Sequence, residues 1–200
     1  ARRKALGTAL ISDPIRAEEE GKGLDNEEIV SMCTLLLTAG NVTTTDLIGN
    51  GVNALIEHPA ELAKLAANPA LIGNAIEEML RYDSPVTDSG RLPHQEIVIG
   101  GCPVEAGRSI STSLAAANHD PAVYPDPHKF DIERADTHHQ SFGGGTRMCL
   151  GAPLARLEAQ IAIAQLVARF PGIGRGSKPG KRRHLPSFRG FETLPVRLRQ

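Results

Sequence analysis

The longest apolar pattern in the sequence lies between residues 26 and 57. Its apolar positions cover more than one face of a helix, which is typical of a buried central helix. Asp25 stands before the pattern and Glu28 follows three residues later, as in a capping box at the start of a helix. The pattern therefore predicts one long helix over 26–57, with apolar positions at Ile29, Val30, Cys33, Leu36, Leu37, Val42, Leu47 and Ile48.

The middle of this predicted helix contains poor helix formers. Gly40 is followed by a run of threonines at positions 43–45, and both residue types weaken a helix. Such a stretch inside a strong helix indicates either a functional groove or a point where another element crosses the helix. A threonine hydroxyl that bonds back to a carbonyl would also distort the helix locally. The residues alone leave both interpretations open.

Other segments show shorter but clear patterns. Apolar spacing of three and four predicts helices, alternation predicts strands, and clusters of proline and glycine predict turns. The expected elements are helices over 5–11, 71–82 and 152–170, a small antiparallel sheet within 95–113, a turn-rich segment over 117–141 and a closing hairpin over 187–196.

Composition limits the classes of function. The chain has 200 residues, of which 40% are hydrophobic and 22% charged, with a net charge of −1. This balance gives no reason to expect attraction to nucleic acid or to an anionic membrane. No apolar run has the length of a membrane span, so we expect no membrane anchor and a cytoplasmic location. The basic run at 181–183 is interpreted as a solvated loop.

The three cysteines, Cys33, Cys102 and Cys149, lie at unrelated spacings, which argues against a disulfide framework and fits a reducing compartment. Cys149 stands out because the glycine-rich segment 142–151 leads it toward a predicted helix. A helix N-terminus favours a thiolate, which is a soft metal ligand. The alternative for a lone cysteine is a buried free thiol. The long spacing Phe-Gly-x-Gly-x-Arg-x-Cys-x-Gly favours the ligand.

This loop resembles the heme-binding loop of the cytochrome P-450 family, in which the cysteine is the axial thiolate ligand of heme iron. Three weaker motifs follow the family's order: Ala-Gly-x-x-Thr-Thr from Ala39, Glu-x-x-Arg from Glu78 and Phe-Asp-x-x-Arg from Phe130. The resemblance covers nearly all of the chain. It implies a mainly α fold with a small β-sheet (α+β), in which residues 1–200 form the C-terminal half of a soluble bacterial-type cytochrome P-450 domain.

The resemblance implies roles for individual residues. Cys149 would bind the iron of heme b, and Thr43 would position oxygen and a water molecule. Ala39 and Gly40 would form the oxygen groove, and the heme propionates would be bound by Arg91, His139 and Arg147. Further contacts with heme would come from Phe142, Gly143 and Ala155. The substrate pocket would be lined by Leu35, Thr38, Val86, Thr87 and Phe188, and a structural brace would be formed by Glu78, Arg81 and Arg134.

The reaction implied by the resemblance inserts one oxygen atom from O2 into a small hydrophobic organic substrate. Electrons would come from a ferredoxin or flavodoxin. Val42 stands where the family usually has an acid that relays protons, and Asn41, an ordered water or Asp46 would have to substitute for it. A peroxide-driven or atypical heme-thiolate reaction is therefore one alternative. A non-catalytic heme-binding fragment is another, because half of the pocket is missing.

Overall fold

The computed structural model describes Ser12, Ile15 and residues 23–199, and the helix expected over 5–11 lies outside them. Contacts divide the chain into two compact units, Ala1–Val42 and Thr43–Gln200. The helices in the described residues are α1 (Asn26–Ala39), α2 (Val42–Glu57), α3 (Pro59–Ala67), α4 (Ile72–Tyr82), α5 (Leu114–Ala117) and α6 (Ala152–Arg169). The strands are β1 (Asp88–Arg91), β2 (Ile97–Ile99), β3 (Cys102–Val104), β4 (Ile110–Ser113), β5 (Gly174–Arg175), β6 (Lys181–Arg182), β7 (Phe191–Thr193) and β8 (Val196–Arg197).

The single helix predicted over 26–57 is wrong, because the structure divides this span into α1 and α2. Gly40 and the next residue form a turn between the two helices. The Thr38 hydroxyl bonds back to the Thr34 carbonyl at 2.9 Å, which competes with the regular backbone ladder. The poor helix formers named above therefore end one helix and start another. The predicted capping box is present at the start of α1.

The core of the second unit lies where α2, α3, α4 and α6 pack together. The buried cluster includes Leu47 and Val52 of α2, Ile76 and Met79 of α4 and Ile163 of α6. The loop residues Phe130 and Ile132 belong to the same cluster. Among the helices of the described residues, none combines the length and the apolar character needed to cross a bilayer.

The strands in the described residues form four separate two-stranded antiparallel sheets. The region predicted as one small sheet is divided between two of them, because β2 pairs with β3 whereas β4 pairs with β1. The closing hairpin predicted over 187–196 is also wrong. β7 pairs with β6, and β8 pairs with β5, so the two last strands are joined in sequence but belong to different sheets.

Glu78 of α4 is completely buried beside Arg81. Arg81 Nε and Nη2 donate to the two carboxylate oxygens at 2.7 and 2.9 Å. Arg134 Nε donates to Glu78 Oε2 at 3.2 Å, and the Asp131 backbone N–H donates to Glu78 Oε1 at 2.9 Å. A buried charge is tolerated when it is paired and hydrogen-bonded, and this carboxylate has both kinds of partner.

The two arginines also fix the turn-rich segment. Arg81 Nη1 donates to the carbonyls of Asn118 and Pro127 at 2.9 and 2.8 Å. Arg134 Nη1 donates to the Pro125 carbonyl at 2.8 Å. Carbonyls that lie outside helices and strands thus receive charged donors, which make stronger hydrogen bonds than neutral ones. The structure therefore places the three residues of the expected brace in one network.

We predict that Glu78→Gln lowers the free energy of unfolding by about 3–5 kcal/mol, because it leaves Arg81 buried without its compensating charge. Urea denaturation measures this change. Glu192→Gln is the matched control, since Glu192 pairs with Lys181 on the surface at 2.7 Å and exposed pairs contribute little. Equal effects of the two substitutions would contradict the role of the brace.

Two glycines of α2 provide a paired test of core packing. A Cβ at Gly51 would lie 2.6 Å from Met79 Sδ and 3.1 Å from Ile163 Cδ1, whereas a Cβ at Gly49 meets only Phe191 at 3.9 Å. We expect Gly51→Ala to destabilise the fold by about 1–3 kcal/mol through overpacking. Gly49→Ala should stabilise it by about 0.5–1 kcal/mol through helix propensity. Thermal and urea unfolding of both variants should give opposite signs.

Candidate functional site

The cysteine loop has a backbone that glycine makes possible. Gly143 and Gly145 have φ values of 68° and 66°, a region that other residues rarely adopt. A single 3₁₀ turn, Gly145–Arg147, follows. The Cys149 N–H donates to the Phe142 carbonyl at 2.9 Å, which closes the loop and fixes the cysteine backbone.

Cys149 leads directly into α6, because its carbonyl accepts a hydrogen bond from the Ala152 N–H at 3.3 Å. The thiol is free and exposed. Met148 and Leu150 beside it are 55% and 77% exposed. An exposed soft donor between apolar side chains fits a flat, apolar metal complex such as heme. Ala155, on the first turns of α6, adds only a methyl group to this region.

The base of the loop is anchored to α4. Ser141 is buried; its hydroxyl donates to the Leu80 carbonyl at 2.7 Å and accepts from Asn118 Nδ2 at 2.9 Å. The side-chain oxygen of Asn118, Oδ1, accepts a hydrogen bond from the Gln140 backbone N–H at 2.7 Å. These bonds place the loop against the same helix that carries the Glu78 brace.

The two arginines expected at the heme propionates differ in their surroundings. In the part of the chain that the structure describes, the Arg147 guanidinium has no hydrogen-bonding partner. Arg91 is exposed in β1, where its Nη1 donates to the Ser89 hydroxyl at 2.5 Å and to the Gly90 carbonyl at 2.8 Å. A guanidinium that has no partner among the described residues and lies two residues from Cys149 fits a carboxylate on a bound cofactor.

His139 does not have the surroundings expected of a propionate ligand. Its side chain is 2% exposed. Its Nδ1 accepts a hydrogen bond from the Ser141 N–H at 3.1 Å, and its Nε2 lies 3.1 Å from Glu77 Oε2. The ring is therefore the tautomer that donates from Nε2 to Glu77, and no ring N–H is left for a propionate. The resemblance gave no reason to single out Glu77.

Three of the expected substrate residues come together in the second unit. Val86 forms an isolated antiparallel bridge with Phe188, and the Thr87 N–H donates to the Ser187 carbonyl at 3.0 Å. The Thr87 and Ser187 hydroxyls donate to the two carboxylate oxygens of Asp88 at 3.2 and 2.8 Å. This contact joins the chain before β1 to the loop before β7. Leu35 and Thr38 belong to α1 in the first unit.

The oxygen groove expected from the resemblance coincides with the turn between α1 and α2. Ala39 is the last residue of α1, and Thr43 is the second residue of α2. A Cβ at Gly40 would lie 2.7 Å from the Leu36 carbonyl oxygen, so the backbone here requires glycine. The roles of Ala39, Gly40 and Thr43 stay predictions.

Asp46 has a structural partner that the sequence did not indicate. It is buried, and its carboxylate forms an ion pair with Arg183. Arg182 pairs with Asp83 at 2.7 Å and donates to Asn50 Oδ1 at 2.8 Å. The interpretation of 181–183 as a solvated loop is therefore wrong for these two arginines. Asp46 is also a poor substitute for the missing acid at position 42, because Arg183 neutralises it.

Comparison with known proteins agrees with this geometry. The family model described as Cytochrome P450 matches residues 69–186, which include the brace and the cysteine loop. The chain is 42% identical over 198 residues to Cytochrome P450 monooxygenase PikC of Streptomyces venezuelae, covering 97% of this chain and 48% of the relative. It is 44% identical to Biotin biosynthesis cytochrome P450 of Bacillus subtilis (strain 168), covering 94% of this chain and 47% of the relative.

Solved structures show the same fold. P450BioI, in complex with acyl carrier protein ligated to hexadec-9Z-enoic acid, superposes with a TM-score of 0.92 at 41% identity and covers 99% of this chain and 50% of that one. CYP109E1 from Bacillus megaterium, in complex with testosterone, superposes with a TM-score of 0.95 at 38% identity. It covers 98% of this chain and 51% of that one. The chain thus spans about half the length of the curated relatives it matches. The family model matches more than half of the chain and the relatives are about 40% identical to it with the same fold, so the chain belongs to the cytochrome P450 family.

Proposed function

We propose that Cys149 is the axial thiolate ligand of heme b in a monooxygenase that inserts one oxygen atom from O2 into a small hydrophobic organic substrate. The observation that carries this proposal is the exposed Cys149 thiol, free of any disulfide, in a loop that two positive-φ glycines shape. Bound heme supplies the redox-active iron that activates oxygen. The protein supplies the ligand, the anchors and the surroundings of the substrate.

The residues around Cys149 have distinct proposed tasks. Gly143 leaves room for a flat ring, and Phe142 and Ala155 pack against it. Arg147 and Arg91 bind the propionates as bidentate cations. We leave His139 out of this set, because both of its ring nitrogens already have partners within the protein.

The proposed substrate is apolar, and Val86, Thr87 and Phe188 form part of its wall. Two observations support this class. The β-bridge from Val86 holds Phe188 with 41% of its surface exposed, so an apolar ring is available to a ligand. P450BioI and CYP109E1 were solved with a fatty acyl chain and with a steroid. Leu35 and Thr38 are proposed for the same wall from the resemblance alone.

We assign oxygen and proton handling to Thr43, whose hydroxyl can hold a water molecule near the reacting oxygen. Electrons are proposed to come from a ferredoxin or flavodoxin that docks on the side of the cysteine loop. This assignment follows from membership of the family and from the exposure of Cys149, Met148 and Leu150.

A second candidate is a peroxide-driven heme-thiolate reaction. Two residues favour it: Val42 replaces the usual acid, and the nearby Asp46 is paired with Arg183. Without an ionisable group that can exchange protons at this place, delivery of protons during O2-driven turnover is slowed. Hydrogen peroxide brings both the oxygen and the protons, so it bypasses this step.

We predict that Cys149→Ser abolishes the red-shifted Soret band of the reduced CO complex, because a serine hydroxyl is a hard, weakly donating ligand. Absorption spectra of the heme-loaded protein measure this band. Cys102→Ser is the matched control, since Cys102 is also a free, exposed cysteine but lies in β3. Persistence of the band in Cys149→Ser would refute the ligand assignment.

We expect Val42→Asp to increase O2-driven product formation at least about tenfold relative to peroxide-driven formation, because it restores a group for general acid catalysis. Product formed with O2 per reduced ferredoxin consumed, and product formed per hydrogen peroxide added, give the two values. Val42→Asn is the control with similar size and no acid. An unchanged ratio in Val42→Asp would mean that another residue already relays protons.

A further inference from the structure

Glu77 lies next to the brace residue Glu78 but contacts a different set of partners. Arg156 of α6 donates to it in a bidentate manner, from Nε to Oε1 at 2.7 Å and from Nη2 to Oε2 at 2.9 Å. His139 Nε2 lies 3.1 Å from Oε2. One carboxylate thus holds a residue that precedes Cys149 and a residue that follows it.

Phe142 connects these contacts to the cysteine. Its ring contacts both partners of Glu77: the His139 ring is 5.7 Å away between centroids, and the Arg156 guanidinium carbon lies 4.6 Å from the Phe142 centroid. The Phe142 carbonyl accepts the hydrogen bond from the Cys149 N–H. Contacts therefore run without interruption from Glu77 to the backbone of the proposed ligand.

The charges in this cluster interact strongly. Burial by itself raises the pKa of Glu77, but hydrogen bonds from His139 and Arg156 outweigh it and lower that pKa to about 2. The hydrogen bond from Glu77 raises the pKa of Arg156 against the effect of burial, and the charge of Cys149 adds a smaller contribution in the same direction. Both Glu77 and Arg156 are therefore charged at neutral pH, and Arg156 lies in α6, the helix that Cys149 leads into.

We propose that Glu77 is a positioning residue that clamps His139 and Arg156 on the two sides of the cysteine loop and sets the net charge at Arg156 of α6, the helix that follows Cys149. This inference rests on the proposed heme-thiolate function. The geometric part fixes Phe142 and the Cys149 backbone. The electrostatic part is that the Glu77 carboxylate neutralises Arg156. Without it, an unpaired cation would draw electron density from the sulfur.

The electrostatic part predicts shifts of opposite sign. Glu77→Gln leaves Arg156 unpaired, and the added positive charge favours the reduced iron, so the reduction potential should become more positive. Arg156→Gln leaves Glu77 unpaired, so the potential should become more negative. We expect each ferrous-to-ferric ratio to change by about threefold or more at a fixed electrode potential. The double variant should return close to the original ratio.

Spectroelectrochemical titration of the heme-loaded protein, with all variants at one fixed pH, measures these ratios. Glu77→Asp keeps the charge and should leave the ratio close to the original one. Glu192→Gln, which removes an exposed carboxylate, is the control for non-specific charge effects. Shifts of the same sign in Glu77→Gln and Arg156→Gln, or shifts no larger than the control, would overturn the electrostatic part.

The geometric part is tested without heme. Hydrogen exchange in the protein should accelerate about tenfold or more in the peptide 140–150 of Glu77→Gln and Arg156→Gln, while the β2–β3 peptide 97–104 keeps its rate. Unchanged exchange in 140–150 would overturn the clamp. This readout is independent of the Cys149→Ser spectrum, so failure of the ligand assignment and failure of the clamp give different results.

Discussion

The buried carboxylate of Glu78 is the constraint on which the rest of this structure depends. A charge removed from water is costly unless donors surround it, so Glu78 requires Arg81 and Arg134 to meet at one point. Those arginines in turn bind carbonyls of a segment with little regular secondary structure. The polypeptide between α5 and the cysteine loop is thus ordered by the requirements of one buried ion.

The neighbouring residue, Glu77, extends this order toward the chemistry. Consecutive positions on a helix point about 100° apart, so the two carboxylates reach different partners. Glu78 faces the turn-rich segment, whereas Glu77 reaches His139 and Arg156 beside the cysteine loop. Helix α4 therefore acts as a common support: one acid fixes the approach to the loop, and the other holds its two sides. Ser141, bonded to the Leu80 carbonyl, adds a third attachment to the same helix.

The geometry of the cysteine loop and the replacement of the usual acid by Val42 concern different physical requirements. The shape of the cysteine loop depends on local geometry, because Gly143 and Gly145 allow it and Phe142 closes it, while attachments to α4 hold the loop in place. Proton delivery needs an ionisable group in a suitable environment. Val42 cannot supply one, and the ion pair with Arg183 restrains Asp46. The cysteine loop thus keeps its geometry although the residue at position 42 departs from the family pattern.

The sequence by itself determined the family, the ligand candidate and the existence of the main helices. These depend on local spacing: the cysteine loop, the Glu-x-x-Arg pair and the apolar periodicity of α4 and α6 each occupy a short stretch of chain. Tertiary structure decided which residues meet across long separations. His139 turns to Glu77, Arg182 and Arg183 pair with Asp83 and Asp46, and β7 and β8 join different sheets, because such partners are chosen by packing and by the need to pair buried charges, which short-range patterns do not encode.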